Sequence, residues 1–249
     1  MRGPIRDEID TPPSVVLRRA ALGALGVLTL LLATGLLVGV AVDGTSIGRV
    51  ELDATRWIAE HRTGALDAVA TVGSSLTDTF TVLGVLAGAV TMLVASGHGR
   101  HGLLLVVAVT TEFLVFLVTS VVVGRERPDV EPLGEVPSTA SFPSGHVAVA
   151  IALYGGLALV AVSLARNRDV GRAGAAIVAS IAVYVGASRV YEGVHHPVDV
   201  AGGVVLGLAA LMSAAWSSGL VFAPGPYVTT VAPAVAARDE RAWTGAPWR

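Results

Sequence analysis

The chain has 249 residues, 53% hydrophobic and 14% charged, with a net charge of −2 and a mean hydropathy of +0.70. That balance excludes an ordinary soluble domain, indicates an integral membrane protein and argues against nucleic acid as a partner. Cysteine is absent, which excludes disulfides, thiolate nucleophiles and cysteine-bound metals, and every basic side chain is an arginine because the chain has no lysine.

A helix needs about 20 apolar residues to cross the hydrocarbon core. Six stretches approach that length: roughly 20–42, 79–95, 103–123, 147–165, 173–187 and 198–222. Arg18 and Arg19 ahead of the first resemble the start of a secretory signal. The run after them is too long for one, and no convincing small-x-small cleavage site follows, so a retained helix is expected. Between the first and second spans, the mixed stretch 50–70 suits an amphipathic helix lying over the outer face. The fifth span is short and is expected to run on through Arg189 to Tyr191. The fold class expected is all-α, an integral membrane bundle of about six transmembrane helices. Residues 1–19 form a cytoplasmic N-terminal segment and 20–222 the six-helix domain. The tail 223–249, rich in Pro, Ala and Thr, is expected to be disordered. Small-residue seams for helix packing are expected at Gly35 with Gly39, Gly84 with Gly88, and Gly203 with Gly207, either within the chain or between copies.

Basic residues near helix ends stay cytoplasmic. With the N-terminus inside, the inner segments hold Arg2, Arg6, Arg18, Arg19, Arg100, Arg166, Arg168, Arg172, Arg238, Arg241 and Arg249, and the outer ones Arg49, Arg56, Arg62, Arg125, Arg127 and Arg189. Counting helices from there puts 124–146 and 188–197 on one side, the extracytoplasmic side of a multi-pass protein in the cell membrane. Those two stretches hold the polar interruptions of the chain: Gly-Arg-Glu-Arg-Pro at 124–128, Pro-Ser-Gly-His at 143–146, and Ser188-Arg189 followed by His195 and Asp199.

These residue types suit phosphoryl chemistry. Arginine offers forked donors to phosphoryl oxygens, and Arg127 and Arg189 stand at the ends of the third and fifth spans, where the alternative is a headgroup anchor. Ser144 and the Gly145 amide open an apolar helix, so they either cap it or receive an anion there. His146 beside them is placed to protonate a leaving alkoxide. His195 and Asp199 bracket Pro197, a spacing that lets the carboxylate hold one ring nitrogen while the other presents its lone pair. Asp199 could otherwise only complement the helix dipole. His196 is a second candidate nucleophile, less naturally spaced from Asp199, and is placed as a pocket wall. Glu112 is the one acid inside a span; eight residues before Ser120, about 12 Å along a helix, it falls below the pocket and is expected to be structural.

The three ordered motifs resemble the type 2 phosphatidic acid phosphatase superfamily, which includes bacterial lipid and isoprenoid pyrophosphate phosphatases, glucose-6-phosphatase and the vanadium haloperoxidases. Its signature is a lysine, six residues and Arg-Pro; then Pro-Ser-Gly-His; then Ser-Arg, five residues, His, three residues and Asp. The second motif matches in full at Pro143 to His146, and the third at Ser188, Arg189, His195 and Asp199. The first matches at Arg127-Pro128, with Ser120 where the lysine is expected. The resemblance implies that His195 attacks phosphorus to give a phosphohistidine, Asp199 orients it and His146 protonates the leaving group. It also implies that Arg127, Arg189, Ser144 and the Gly145 amide hold the non-bridging oxygens, with no metal and no cofactor. Arg125 is the substitute expected for the lysine, unless Glu126 and Asp129 pair with it instead.

The reading that follows is a membrane phosphatase hydrolysing a lipid phosphate or a polyprenyl pyrophosphate, with membrane lipid as its other partner. A phosphotransferase using the same phosphohistidine, or a catalytically weak lipid-binding protein, are the alternatives; haloperoxidase activity suits a membrane bundle least.

Overall fold

In a computed structural model, residues 12–165 and 168–220 are described; the expected tail 223–249 and the first eleven residues lie outside them. Among the described residues every regular element is a helix, with α1 at Pro13–Ala41, α2 at Ser46–Glu60, α3 at Gly64–Ser75, α4 at Thr79–Ala95, α5 at Gly99–Val123, α6 at Gly145–Ala165, α7 at Arg168–Tyr191 and α8 at Pro197–Ser217, and the irregular loop 124–144 joins α5 to α6. Helices α1, α5, α6, α7 and α8 are each long and apolar enough to cross a membrane, and α3 with α4 forms a further candidate span bent by 43°. The architecture is thus an all-α membrane bundle with five or six candidate spans.

The ends of the elements follow from local chemistry. Helix α1 starts at Pro13, ahead of the apolar run, because proline is pre-set for a first helical turn. The loop expected to carry one amphipathic helix carries α2 and then α3. Thr63 breaks the run between them, its hydroxyl accepting the Leu66 amide as the cap of α3. Helix α2 is amphipathic, with Glu51 and Thr55 buried and Ile47, Val50 and Trp57 exposed. The bend between α3 and α4 is held by the Tyr154 hydroxyl, which donates to the Leu76 carbonyl at 2.6 Å. Helix α7 does run on to Tyr191, and α6 includes a π-helical stretch, Ala150–Gly155, buried against α8.

Helix α8 is the axis of the bundle, packed on α1, α5 and α6. Its buried face is built largely of small residues, Gly202, Gly203, Gly207, Ala210 and Ala214 among them. A Cβ on Gly202 would collide with the Phe142 ring, and on Gly203 with the Ser144 carbonyl. On Gly207 it would meet the Ala148 carbonyl and Ile151. The Gly203 and Gly207 seam is therefore intramolecular, and its backbone contact lets the Ser144 amide donate to the Asp199 carbonyl at 2.9 Å. Gly35 packs on Val123 and Phe142, whereas a Cβ on Gly39, Gly84 or Gly88 meets nothing within 4 Å.

Gly203→Ala is expected to destabilise the purified protein by about 1–3 kcal/mol through overpacking against backbone. Gly39→Ala, in an open stretch of α1, should be neutral or stabilising by up to about 1 kcal/mol. Thermal unfolding in detergent compares the two, and equal midpoints for both variants would contradict the close approach at Gly203.

Candidate active site

The three polar motifs meet at one end of the bundle, where α5 and α7 finish and α6 and α8 begin. The α7–α8 turn holds His195 almost wholly buried. Its Nδ1 lies 2.8 Å from the Ser141 carbonyl oxygen. A carbonyl only accepts, so Nδ1 carries the hydrogen and Nε2 is left with its lone pair. Burial, followed by the charges of Arg127 and Arg189 and then His146, holds the His195 pKa well below its ordinary value. Arg127 is brought close to it by the bond from Nη1 to the carbonyl of the preceding residue, Val194.

The carboxylate expected to hold this ring lies further away, with Asp199 Oδ2 3.9 Å from His195 Nδ1. At the third position of α8, Asp199 is drawn into the helix start. There Oδ2 accepts the His196 amide at 2.8 Å and the Ser141 hydroxyl, and Oδ1 pairs with Arg125 Nη1. Ser141 stands between the two, its hydroxyl on Asp199 and its carbonyl on His195. His196 caps α8 half-buried, its Nδ1 without a hydrogen-bond partner, and burial lowers its pKa.

Arg127 and Arg189 are each pinned by the protein on one side. Arg127 Nη1 donates to the Val194 carbonyl and Nη2 to the Thr139 carbonyl at 2.9 Å. Burial and then Arg189 lower the Arg127 pKa, though an arginine stays cationic at neutral pH. Arg189 Nη1 donates to Glu192 Oε2 at 2.7 Å and to Ser74 Oγ at 3.2 Å. The Nε of both arginines is buried without a partner. Ser144 occupies the cap position of α6 but makes no side-chain cap bond, and its Oγ is likewise buried and unpartnered. Gly145 follows, where a Cβ would press on the Phe116 ring. His146, partly exposed in the first turn of α6, has Nε2 3.9 Å from Asp78 Oδ1.

Arg125 is placed differently from the lysine substitute expected. Its guanidinium is buried among three carboxylates: Nε reaches Asp43 at 3.0 Å, Nη2 reaches Glu51 at 3.0 Å and Asp43 at 2.9 Å, and Nη1 reaches Asp199. Burial alone would lower its pKa, but Asp199, Asp43 and Glu51 raise it. Asp129 pairs instead with Arg56 at 3.4 Å. Ser120 carries no charge to the site; its hydroxyl accepts the Ala140 amide at 3.0 Å and ties the 124–144 loop to α5. Glu112 is buried in α5.

Sequence reading missed Ser74, Asp78, Ser141 and Glu192. Glu192 is buried, accepts the Ser74 hydroxyl at 2.7 Å and has its pKa raised by burial, with Ser74 and Arg189 pulling the other way. The signal available for it was an acid three residues after Arg189, an ion-pair spacing at the end of a helix. Ser74 reaches it because Gly73 lets α3 lie against Ser188, where a Cβ would collide with the Ser188 hydroxyl.

The model of the PAP2 superfamily matches residues 101–221. Phosphatidylglycerophosphatase B of Bacillus subtilis (strain 168) is 40% identical over 111 residues, 43% of this chain and 53% of that protein, so the match spans about half the length of this curated relative. The crystal structure of the transmembrane PAP2-type phosphatidylglycerolphosphate phosphatase from B. subtilis superposes with a TM-score of 0.68 at 28% identity, covering 78% of this chain and 96% of that one. Aquifex aeolicus LpxE shares the fold at a TM-score of 0.51 and 24% identity, over 65% of this chain and 93% of its own.

With its pKa depressed, His195 should stay neutral as pH falls through the ordinary histidine value of 6.5. Nitrogen-15 NMR of histidine-labelled protein should show its ring locked as the Nδ1–H tautomer across that point. A midpoint near the ordinary value would contradict the burial and the arginine neighbours described.

Proposed function

We propose, because the PAP2 superfamily model matches residues 101–221, that this chain is a membrane phosphatase of that superfamily acting on a lipid phosphate through a phosphohistidine intermediate. The observation that carries this reading is that each of the three motifs meeting at this end of the bundle offers a buried, unpartnered polar atom: Arg127 Nε, Ser144 Oγ and Arg189 Nε. Buried donors are ordinarily satisfied, and three belonging to two cations and a helix start suit the oxygens of one anion.

His195 Nε2 attacks phosphorus and forms a P–N bond while the bond from phosphorus to the lipid oxygen breaks. His146 gives its proton to that oxygen, releasing a lipid alcohol, or a shorter phosphate ester from a pyrophosphate. A bound phosphoryl group adds negative charge beside His146, whose Nε2 already faces Asp78 Oδ1 at 3.9 Å. Water then attacks the phosphohistidine, losing its proton to His146, and the P–N bond breaks to free inorganic phosphate and neutral His195. Arg127, Arg189, Ser144 and the Gly145 amide hold the three equatorial oxygens as charge spreads over them.

A site at the end of the bundle suits a substrate whose phosphate sits at headgroup depth and whose tail stays in the bilayer. Phosphatidylglycerol phosphate is a candidate substrate supported by the likeness to a B. subtilis phosphatidylglycerophosphatase, with polyprenyl pyrophosphate and phosphatidic acid alongside. The arginine distribution supports a cell-membrane protein whose site opens on the extracytoplasmic face.

Purified protein should release phosphate from at least one of these lipids, and His195→Ala should lower kcat by about 1,000-fold or more. Release from none of them would sink the phosphatase reading. The cysteine-free chain also permits a topology test. Glu135→Cys, in the exposed loop before α6, should react with an impermeant maleimide in intact cells, and Arg172→Cys only after permeabilisation. The reverse pattern would turn the site to the cytoplasm.

A further inference from the structure

The position of Arg125 has a chemical consequence that extends the phosphatase reading and rests on it. Three carboxylates from three parts of the fold converge on one buried guanidinium: Asp43 from the turn after α1, Glu51 from α2 and Asp199 from α8. They divide the fork between them, with Nε and Nη2 on Asp43, Nη2 also on Glu51 and Nη1 on Asp199. Glu51 also accepts the Val198 amide through Oε1 at 2.6 Å, so the same side chain caps the start of α8. On its backbone, Arg125 accepts the Ser141 amide at 2.9 Å. Ser141 is therefore held twice by Arg125, directly through the backbone and through the Asp199 carboxylate that takes its hydroxyl. The Ser141 carbonyl in turn holds His195 Nδ1.

We infer that Arg125 is a positioning residue for the nucleophile: together with Asp43 and Glu51 of the outer turn and helix α2, it sets Asp199 and Ser141 and so fixes the tautomer and aim of His195. In this arrangement Nε, Nη1 and Nη2 each engage a carboxylate. The role needs a planar fork, because a lysine ammonium has the charge but cannot span three carboxylates set at different angles. It also gives α2 a part in the chemistry, because the exposed apolar face with Ile47 and Trp57 and the buried acid Glu51 belong to one helix.

The inference is tested by a double-mutant cycle joined to a spectroscopic readout. Arg125→Ala should lower kcat by about 100-fold while KM changes by less than about threefold, because an oriented nucleophile is lost and a phosphate contact is not. In an Asp199→Asn background the same substitution should cost less than about threefold more, since the two act as one unit. Arg125→Lys should stay at least about tenfold below the natural protein. Losses that multiply across the cycle, or a loss carried by KM, would overturn the inference and make Arg125 a phosphate ligand or a mere brace. Independently of turnover, nitrogen-15 NMR of His195 should show the Nε2–H tautomer appearing in Arg125→Ala and not in the exposed-loop control Glu135→Ala. An unchanged tautomer in Arg125→Ala refutes the inference even if no lipid phosphate is hydrolysed, whereas a changed tautomer without hydrolysis upholds it and counts only against the phosphatase reading. Asp43→Asn, at a half-exposed partner, supplies a milder variant if Arg125→Ala does not fold; it should lower kcat a few-fold with KM unchanged, and no change in kcat would count against the clamp.

Discussion

The end of the bundle is organised by one requirement, that the fully buried carboxylate of Asp199 be neutralised and hydrogen-bonded. An unpaired buried charge costs several kcal/mol, and removing a partner from a buried pair typically costs about 3–5 kcal/mol. Four groups meet that demand here: the Arg125 guanidinium, the Ser141 hydroxyl, the His196 amide and the positive end of α8. Each has a further consequence. Arg125 draws in Asp43 and Glu51, Ser141 presents its carbonyl to His195, and His196 fixes the entry of the chain into α8. Close backbone packing completes the arrangement, since Gly202 and Gly203 admit Phe142 and Ser144 to the same helix start.

Charge is distributed unevenly across the site. Behind Asp199 a single guanidinium faces three carboxylates, which suits a rigid support. In front of it, two arginines face one buried acid, Glu192, and the more exposed Asp78. Arg189 is fixed by Glu192 and Ser74, and Arg127 by two main-chain carbonyls, so both guanidinia are oriented before any ligand arrives. Preorganised donors of this kind stabilise developing charge without reorganising as it forms. Burial and then the same arginines hold the His195 pKa well below its ordinary value, favouring the neutral state that the proposed nucleophile needs.

The fold was legible in hydropathy because lipid allows few solutions: long apolar helices whose backbone groups pair internally. The extension of α7 to Tyr191 and the start of α8 at Pro197 could both be read from local residue types. The bend before α4 could not, because it depends on Tyr154 reaching a carbonyl in a helix distant in sequence. The convergence of the motifs followed from counting spans, but the bonds inside the site did not. An i, i+4 spacing allows Asp199 to reach His195, and only the packed structure shows that the helix cap and Ser141 take the carboxylate instead. Arg125, two residues before Arg127, reads as the substitute for the missing lysine, and the only acids near it in sequence that could pair with it instead are Glu126 and Asp129. Its actual partners Asp43 and Glu51 are over seventy residues away in sequence, beyond any local pattern.

Ser120 illustrates how a missing charge can alter the support of a site as well as its cradle. A lysine there would bring a cation to the end of α5, close to the loop that carries Arg125 and Arg127. The serine instead accepts the Ala140 amide, one residue before Ser141, and so braces the segment whose carbonyl holds His195. Arg125 holds that segment from the opposite side through the Ser141 amide. The stretch between the first and second motifs is thus fastened at consecutive residues, and its rigidity serves the nucleophile. In the proposed mechanism the loss of one positive charge leaves the phosphate to Arg127, Arg189 and the start of α6, where two arginine Nε groups and one serine hydroxyl are buried without partners. With Glu192 already paired to Arg189, the proposed recognition of a phosphate would draw on the geometry of fixed donors as well as on charge.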